Sequence, residues 1–112
     1  MPGDDRGRPQ AAVVLTIVAA GRRAEPPHPQ RISLTFPALS RVALNLIRPA
    51  QVICDLMTPD HDALQVAARL ADLGWRGRLT VLSSGLPNPR MVEAELRARA
   101  PGLVIEVLDK AP

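Results

Sequence analysis

The residue that points most directly to chemistry is Asp55, which follows the apolar run Val-Ile-Cys at residues 52–54. A Pro-containing loop comes next, and a helical pattern begins at Asp62. This order places one carboxylate at the C-terminal edge of a buried strand, which is the edge where open α/β sheets bind ligands. Asp55 is therefore the first candidate site residue. The alternative is a carboxylate that only caps the turn after the strand.

The segment around Asp55 resembles the phospho-acceptor strand and loop of the receiver domain of two-component response regulators. That family has an Asp, a Met-Pro a few residues later, and Asp-Gly-Leu at the start of the next helix. Four residues fit this pattern: Asp55, Pro59, Asp62 and Leu64. Two depart from it, since Thr58 stands in place of Met and Ala63 in place of Gly. The resemblance covers residues 31–110.

The resemblance implies that Asp55 accepts a phosphoryl group and that two further residues contact it. Receivers use a Ser or Thr at the end of the fourth strand, a position that Ser83 occupies here. They also use a Lys after the fifth strand, and Lys110, the only lysine of the chain, follows Val-Leu-Asp. From the residues alone, the alternative for Ser83 is a loop hydroxyl that bonds its own backbone. The alternative for Lys110 is a solvated lysine.

Receivers hold Mg²⁺ with two neighbouring acids at the end of the first strand. The first predicted strand ends in Val-Ala-Ala-Gly, and Asp4 and Asp5 precede it. Asp55 alone offers too few carboxylates for the ion, so we predict no metal and no other cofactor. Mg²⁺ is expected only if Asp55 is a working phospho-acceptor. Arg22 or Arg23 is expected to supply positive charge beside Asp55 instead.

Other arrangements that carry chemistry are weak or missing in the sequence. His61 stands between two aspartates, but adjacent loop residues rarely converge on one metal ion, and we interpret this segment as a solvated loop. No nucleophile–base signature, Gly-rich phosphate loop or Cys/His metal pattern is found, so we predict that the chain is not an enzyme. Cys54 is alone and is predicted to be a small buried side chain in a reducing, cytoplasmic setting.

Hydrophobic periodicity predicts an α/β domain. Strands are predicted at residues 12–20, 31–36, 51–56, 78–83 and 103–108, and helices at 37–48, 62–73 and 88–100, the first with Leu39, Val42, Ala43 and Leu46 on its apolar face. The resemblance implies a flavodoxin-like (receiver-type), mostly parallel sheet of about five strands in the order 2-1-3-4-5, with helices on both faces. Residues 1–10 are predicted to be a flexible tail and residues 11–110 a single domain.

The connection between the first two strands conflicts with this fold. A parallel crossover needs at least about 10–12 residues and is usually helical. Three prolines at positions 26, 27 and 29 exclude a regular helix there. The first helix is therefore predicted to be missing or reduced. Either an extended loop crosses the sheet, or the first two strands pair differently.

Composition argues against nucleic-acid and membrane partners. The net charge is +3, and the 13 arginines are dispersed among acids, with Phe36 and Trp75 as the only aromatic residues. Nucleic-acid binders usually cluster basic residues and add aromatic stacking. The apolar stretch 11–20 is too short to span a bilayer. It is either a buried strand or the hydrophobic part of a signal peptide, and the acids before it disfavour the latter.

We predict an atypical receiver-like signalling module, a pseudo-receiver, that acts by protein–protein contact and without Mg-dependent phosphorylation. The expected partner is a histidine kinase or a downstream signalling protein, and a homodimer is a further option. One alternative is a phospho-accepting single-domain response regulator that uses Asp55. Another is a structural or scaffolding subunit that associates through an uncovered sheet face. The candidate partner surface comprises Leu86, Pro87, Met91 and Val104.

Overall fold

The computed structural model describes residues 12–21, 30–85 and 88–110. They contain five parallel strands in one sheet, ordered β2-β1-β3-β4-β5. The strands are β1 Val14–Val18, β2 Arg31–Thr35, β3 Gln51–Asp55, β4 Arg78–Ser83 and β5 Val104–Asp109. The predicted strand order is confirmed. The predicted tail, residues 1–10, lies outside the described residues.

Among the described residues, three α-helices and one 3₁₀ turn connect these strands, and polar caps fix where the α-helices begin. They are the 3₁₀ turn Phe36–Ala38, α1 Arg41–Ile47, α2 Ala63–Asp72 and α3 Pro89–Arg99. Asp62 and Gln65 form a capping box, in which each side chain bonds the other's backbone N–H. Asn88 caps α3, and Pro89 fits the first position because it lacks an N–H to satisfy.

The helix predicted over 37–48 is split, and its apolar face is shifted from the predicted one. The Ser40 hydroxyl accepts a hydrogen bond from Ala43 N and restarts the helix after the 3₁₀ turn. Leu44 is therefore buried, whereas Val42 and Leu46 are 68% and 79% exposed. The prediction that Val42 and Leu46 face the core is wrong.

The three α-helices pack on one face of the sheet, here called the covered face. Right-handed crossovers from β2 to β3, β3 to β4 and β4 to β5 all run in one direction across the sheet, which places their helices together. Two rows of apolar side chains meet these helices: Ile32, Leu15, Val52, Leu79 and Ile105, then Leu34, Ile17, Cys54, Val81 and Val107. Most of these side chains are fully buried. This is the hydrophobic core.

The alternate residues of the same strands form the opposite, open face. Its rows are Arg31, Val14, Gln51, Arg78 and Val104, then Ser33, Thr16, Ile53, Thr80 and Glu106, then Thr35, Val18, Asp55, Leu82 and Leu108. None of the α-helices that the structure describes packs on this face. The expectation of helices on both faces is therefore wrong for the described part of the chain.

The first connection still joins two parallel strands. β1 pairs with β2 in parallel, so the alternative in which the first two strands pair differently is excluded. Residues 19–21 and 30 of this connection are not helical, and 22–29 lie outside the described residues. Within the stretch 11–20, Val14–Val18 form β1, which confirms the interpretation of its centre as a strand. None of the described helices is long and apolar enough to cross a membrane.

Candidate functional site

The candidate site lies at the C-terminal edge of the sheet, between β1 and β3. After β1 the chain crosses to β2 on one side, and after β3 it crosses to β4 on the other side. A crevice therefore opens outside the C-terminal ends of β1 and β3. Ligands of doubly wound sheets bind in such crevices. Asp55 is the last residue of β3 and belongs to the open face. Its predicted place at the edge of a central strand is therefore confirmed.

Lys110 forms an ion pair with Asp55. Its Nζ lies 2.9 Å from Asp55 Oδ1, and the two side chains are 49% and 30% exposed. The backbone N–H of Lys110 donates to Ser83 O at 2.6 Å, which extends the β4–β5 pairing by one step. Because Lys110 follows Leu108 by two residues, its side chain lies on the open face and reaches across β4 to Asp55. The alternative of a freely solvated lysine is not what the structure shows.

Ser83 contributes to this arrangement through its backbone. Its side chain is buried and alternates with Leu82, which places it on the covered side of the sheet. The hydroxyl lies 3.5 Å from Leu108 O, at the outer limit of a hydrogen bond. The structure thus brings Asp55 and Lys110 together, and Ser83 holds the Lys110 backbone.

A second acid, Asp60, bridges the crevice. Its Oδ2 accepts a hydrogen bond of 2.9 Å from Ala20 N, just beyond the end of β1, and Thr58 Oγ1 donates to its Oδ1 at 2.9 Å. The Ala20 N–H is the largest cause that lowers the pKa of Asp60 below its usual 3.8, and the Thr58 hydroxyl acts in the same direction. Sequence reasoning missed this bond because no pattern links residues 40 positions apart.

His61 is buried, so its interpretation as part of a solvated loop is wrong. Its side chain is fully buried, and its ring stacks on Phe36 with 5.6 Å between centroids. Nδ1 lies 2.9 Å from Asp60 Oδ1 and 3.1 Å from Thr58 Oγ1. Nε2 is buried without a hydrogen-bond partner among the described residues. The ring therefore anchors the loop after β3 and orients Asp60 toward Ala20.

The residues at this edge do not fit a Mg²⁺ site. The Lys110 ammonium forms an ion pair with the Asp55 carboxylate. The Asp60 carboxylate accepts hydrogen bonds from Thr58 in its own loop and from the backbone of Ala20. Within the described ranges, no three His, Cys, Asp or Glu side chains converge as metal ligands would. Four charged residues that bear on this prediction lie outside those ranges, namely Asp4, Asp5, Arg22 and Arg23.

Cys54 is buried on the covered face, as predicted. Burial is the main cause that raises the pKa of its thiol to about 12, and the negative charges of Asp55 and Asp62 add to it. A thiol with this pKa is almost entirely protonated at neutral pH and is a poor nucleophile or metal ligand.

The two described members of the predicted partner surface, Met91 and Val104, lie far apart. Met91 and Val104 are 63% and 62% exposed. Met91 lies in the first turn of α3, near the C-terminal edge of the sheet, whereas Val104 begins β5 at the opposite edge. Leu86 and Pro87 lie outside the described residues.

Comparison with known proteins adds no relative. The chain matches no protein-family model, no curated protein and no solved structure. The described residues form an α/β fold with a five-stranded parallel sheet.

Proposed function

We propose that this protein is a receiver-like signalling module, a pseudo-receiver, that acts through contact with other proteins and without Mg-dependent phosphorylation. The residues that resemble the receiver pattern, Asp55, Pro59, Asp62 and Leu64, lie on β3, its loop and the start of α2. The strand order agrees with a flavodoxin-like topology. These observations support the family assignment as a hypothesis.

The observation that carries the proposal is the ion pair of Lys110 with Asp55. The contact of 2.9 Å places Lys110 at Asp55, where the resemblance expects it, while no group of acids that could hold a metal ion beside this pair is found among the described residues. Asp60 offers no free carboxylate, since both of its oxygens accept hydrogen bonds. The site therefore resembles a switch that is held in one state by its own side chains.

Phosphorylation of the purified full chain tests this proposal. Acetyl phosphate and Mg²⁺ are added, and intact mass is measured for the wild type and for Asp55→Asn, with a working receiver domain treated in parallel as the positive control. We expect no mass increase in either form, because the described residues at this edge offer no group of free acids that could hold the ion beside Asp55. An increase of one phosphoryl group that Asp55→Asn abolishes would establish the phospho-accepting alternative, with Asp55 as acceptor.

The proposed partners are a histidine kinase or a downstream signalling protein in the cytoplasm. Neither nucleic acid nor membrane is part of the proposal, since the cations are dispersed along the chain. A signal that leaves without a phosphoryl group must be carried by binding at exposed side chains. The exposed apolar residues on the covered side and on the open face are the surfaces available for it.

One observation favours the scaffolding alternative. Val104 and Leu108 lie on the open face and are 62% and 46% exposed, and parallel sheets are normally covered on both faces. A subunit that docks there would bury them with Ile53 and Leu82. A molecular mass in solution that stays monomeric at all concentrations would count against self-association through this face.

A further inference from the structure

We propose that this protein associates head to tail with a second copy of itself, through two complementary surfaces on the covered side. The α1 knob consists of Val42 and Leu46. The α2–α3 pocket lies between these two helices and the loop after β3. The inference does not depend on the proposed signalling function, since neither surface includes Asp55 or Lys110.

The α1 knob is an apolar pair on a basic helix. Val42 and Leu46 are one helical turn apart and are 68% and 79% exposed. They point outward because the Ser40 cap sets the phase that buries Leu44. Arg41 and Arg48 stand at the two ends of this seven-residue helix, which contains no acid. Their long side chains can reach the rim of a surface into which the knob docks.

The α2–α3 pocket is apolar and is bordered by acids. Its volume is about 160 Å³, and it is lined by Leu56, Met57, Leu64 and Val92 with Asp62 and Glu95. Met57 and Leu64 are 74% and 42% exposed, so the pocket opens within a larger apolar surface. Among the described residues, no cation lies within ion-pair distance of Glu95. Methionine at the mouth allows the surface to adapt to the side chain that enters.

The two surfaces match in size and charge. A cavity of about 150 Å³ accommodates a molecule the size of benzene, and a leucine side chain is no larger. The basic ends of α1 would meet the acidic border of the pocket, a pairing that favours the correct register. A second copy is therefore an occupant with both the apolar anchor and the right sign of charge.

The knob cannot fill the pocket of its own chain. α1 packs beside Leu73 and Trp75, at the C-terminal end of α2. The pocket lies at the N-terminal end of α2, beside Asp62 and Leu64. The ten residues of α2 separate the two surfaces by about 15 Å along the helix axis. The contact must therefore form between molecules. In a pair, one copy then keeps its pocket free and the other keeps its knob free, so further copies can add at both ends.

The test uses two variants of the full chain, each of which removes one surface. Leu46→Ser removes the knob and Leu64→Ser alters the pocket, and both side chains are exposed enough for the fold to persist, which circular dichroism verifies. Sedimentation velocity over a concentration series gives the mass. We expect the wild-type average mass to rise with concentration and each variant alone to associate at least about tenfold more weakly.

Mixing the two variants identifies the head-to-tail arrangement. An equimolar mixture should form dimers and stop there, because it contains one working knob and one working pocket per pair. Val104→Ser, on the open face with similar exposure, is the matched control and should leave association unchanged. Arg41→Glu should weaken association, and Glu95→Lys in the same chain should partly restore it.

Three results would overturn the inference. They are a wild type that stays monomeric over the whole concentration range, a mixture of Leu46→Ser and Leu64→Ser that stays monomeric, and loss of association in Val104→Ser but not in Leu46→Ser. The last result would assign the interface to the open face. None of the three bears on whether Asp55 accepts a phosphoryl group.

Discussion

The two faces of the sheet are made from alternate residues of the same five strands, yet they differ in composition. Every side chain in the two rows of the covered face is apolar, apart from the thiol of Cys54. The rows of the open face mix apolar, charged and hydroxyl-bearing side chains. The covered face therefore determines the fold, and the open face is free to carry polar groups.

Four polar side chains of the open face form a connected ladder. Gln51 Nε2 donates to Thr80 Oγ1 at 2.7 Å, and Thr80 Oγ1 donates to Glu106 Oε1 at 3.2 Å. Arg78 lies 3.8 Å from the same Glu106 oxygen. Thr80 is only 2% exposed, yet this ladder pairs its hydroxyl and avoids the cost of an unsatisfied buried group. A partner could cover Thr80 without leaving its hydroxyl unpaired.

The difference between the two faces also explains why Asp55 lies on the open face. Asp55 and Cys54 are neighbours in β3, but Cys54 is sealed under the helices while the Asp55 carboxylate keeps contact with water. An ionised carboxylate on the covered face would lose its hydration with no cation to pair with. The alternation of the strand thus separates the residue of the candidate site from the residue of the core.

The largest expected effect is the difference in stability between alanine variants of two leucines of β4. Leu79 is fully buried on the covered face, and Leu82 is partly exposed on the open face. Leu79→Ala should lower the free energy of unfolding by about 3 kcal/mol, because it leaves a cavity in a packed core. Leu82→Ala should cost only about 1 kcal/mol, since less apolar surface is buried there. Urea denaturation measures both.

Equal losses for the two leucines would contradict the distinction between the faces. A cost for Leu82→Ala close to that of Leu79→Ala would mean that another part of the protein, or a second copy, covers the open face in solution. Repeating the Leu82→Ala measurement at several protein concentrations separates these two cases, because only the second depends on concentration.

The next effect compares the reactivity of two positions in β3. Cys54 should react with a disulfide reagent at least about a hundredfold more slowly than an unfolded thiol, because burial raises its pKa and blocks access. Ile53→Cys in a Cys54→Ala background moves the thiol to the open face and should restore fast labelling. Reagent absorbance measures the rates. Similar slow rates at both positions would show that the open face is also sealed.

Much of this fold could be predicted from the sequence because it depends on local patterns. The predicted bounds of the fourth strand, 78–83, agree with the structure to the residue. Asp62 and Asn88 cap helices where short polar side chains precede apolar periodicity. The error in α1 arose because Pro37 was interpreted as the first turn of the helix, whereas Ser40 is the cap.

The site was less predictable because its contacts join distant parts of the chain. Lys110 was matched to Asp55 only through a resemblance, since 55 positions separate the two residues in sequence. The Asp60 bond to Ala20 and the stacking of His61 on Phe36 depend on how the loops pack in the folded sheet. The acids and proline around His61 suggested a solvated loop, and only the tertiary structure shows its burial.

The smallest expected effect concerns Asp60, an exposed acid at the edge where the two faces meet. Because folding lowers its pKa below 3.8, it stabilises the fold above that pH, and the contribution is lost as pH falls through the folded-state pKa. Titration of its carboxyl group by NMR should give a midpoint below 3.8. Thr58→Val should raise that midpoint, because it removes the hydroxyl that donates to Oδ1.

Thr35→Val is the matched control, since Thr35 lies on the open face and makes no described contact with Asp60. It should leave the Asp60 midpoint where it is in the wild type. A wild-type midpoint at or above 3.8 would mean that the bond from Ala20 does not persist in solution. The contact that Asp60 makes with Ala20 across the crevice between β1 and β3 would then have to be abandoned.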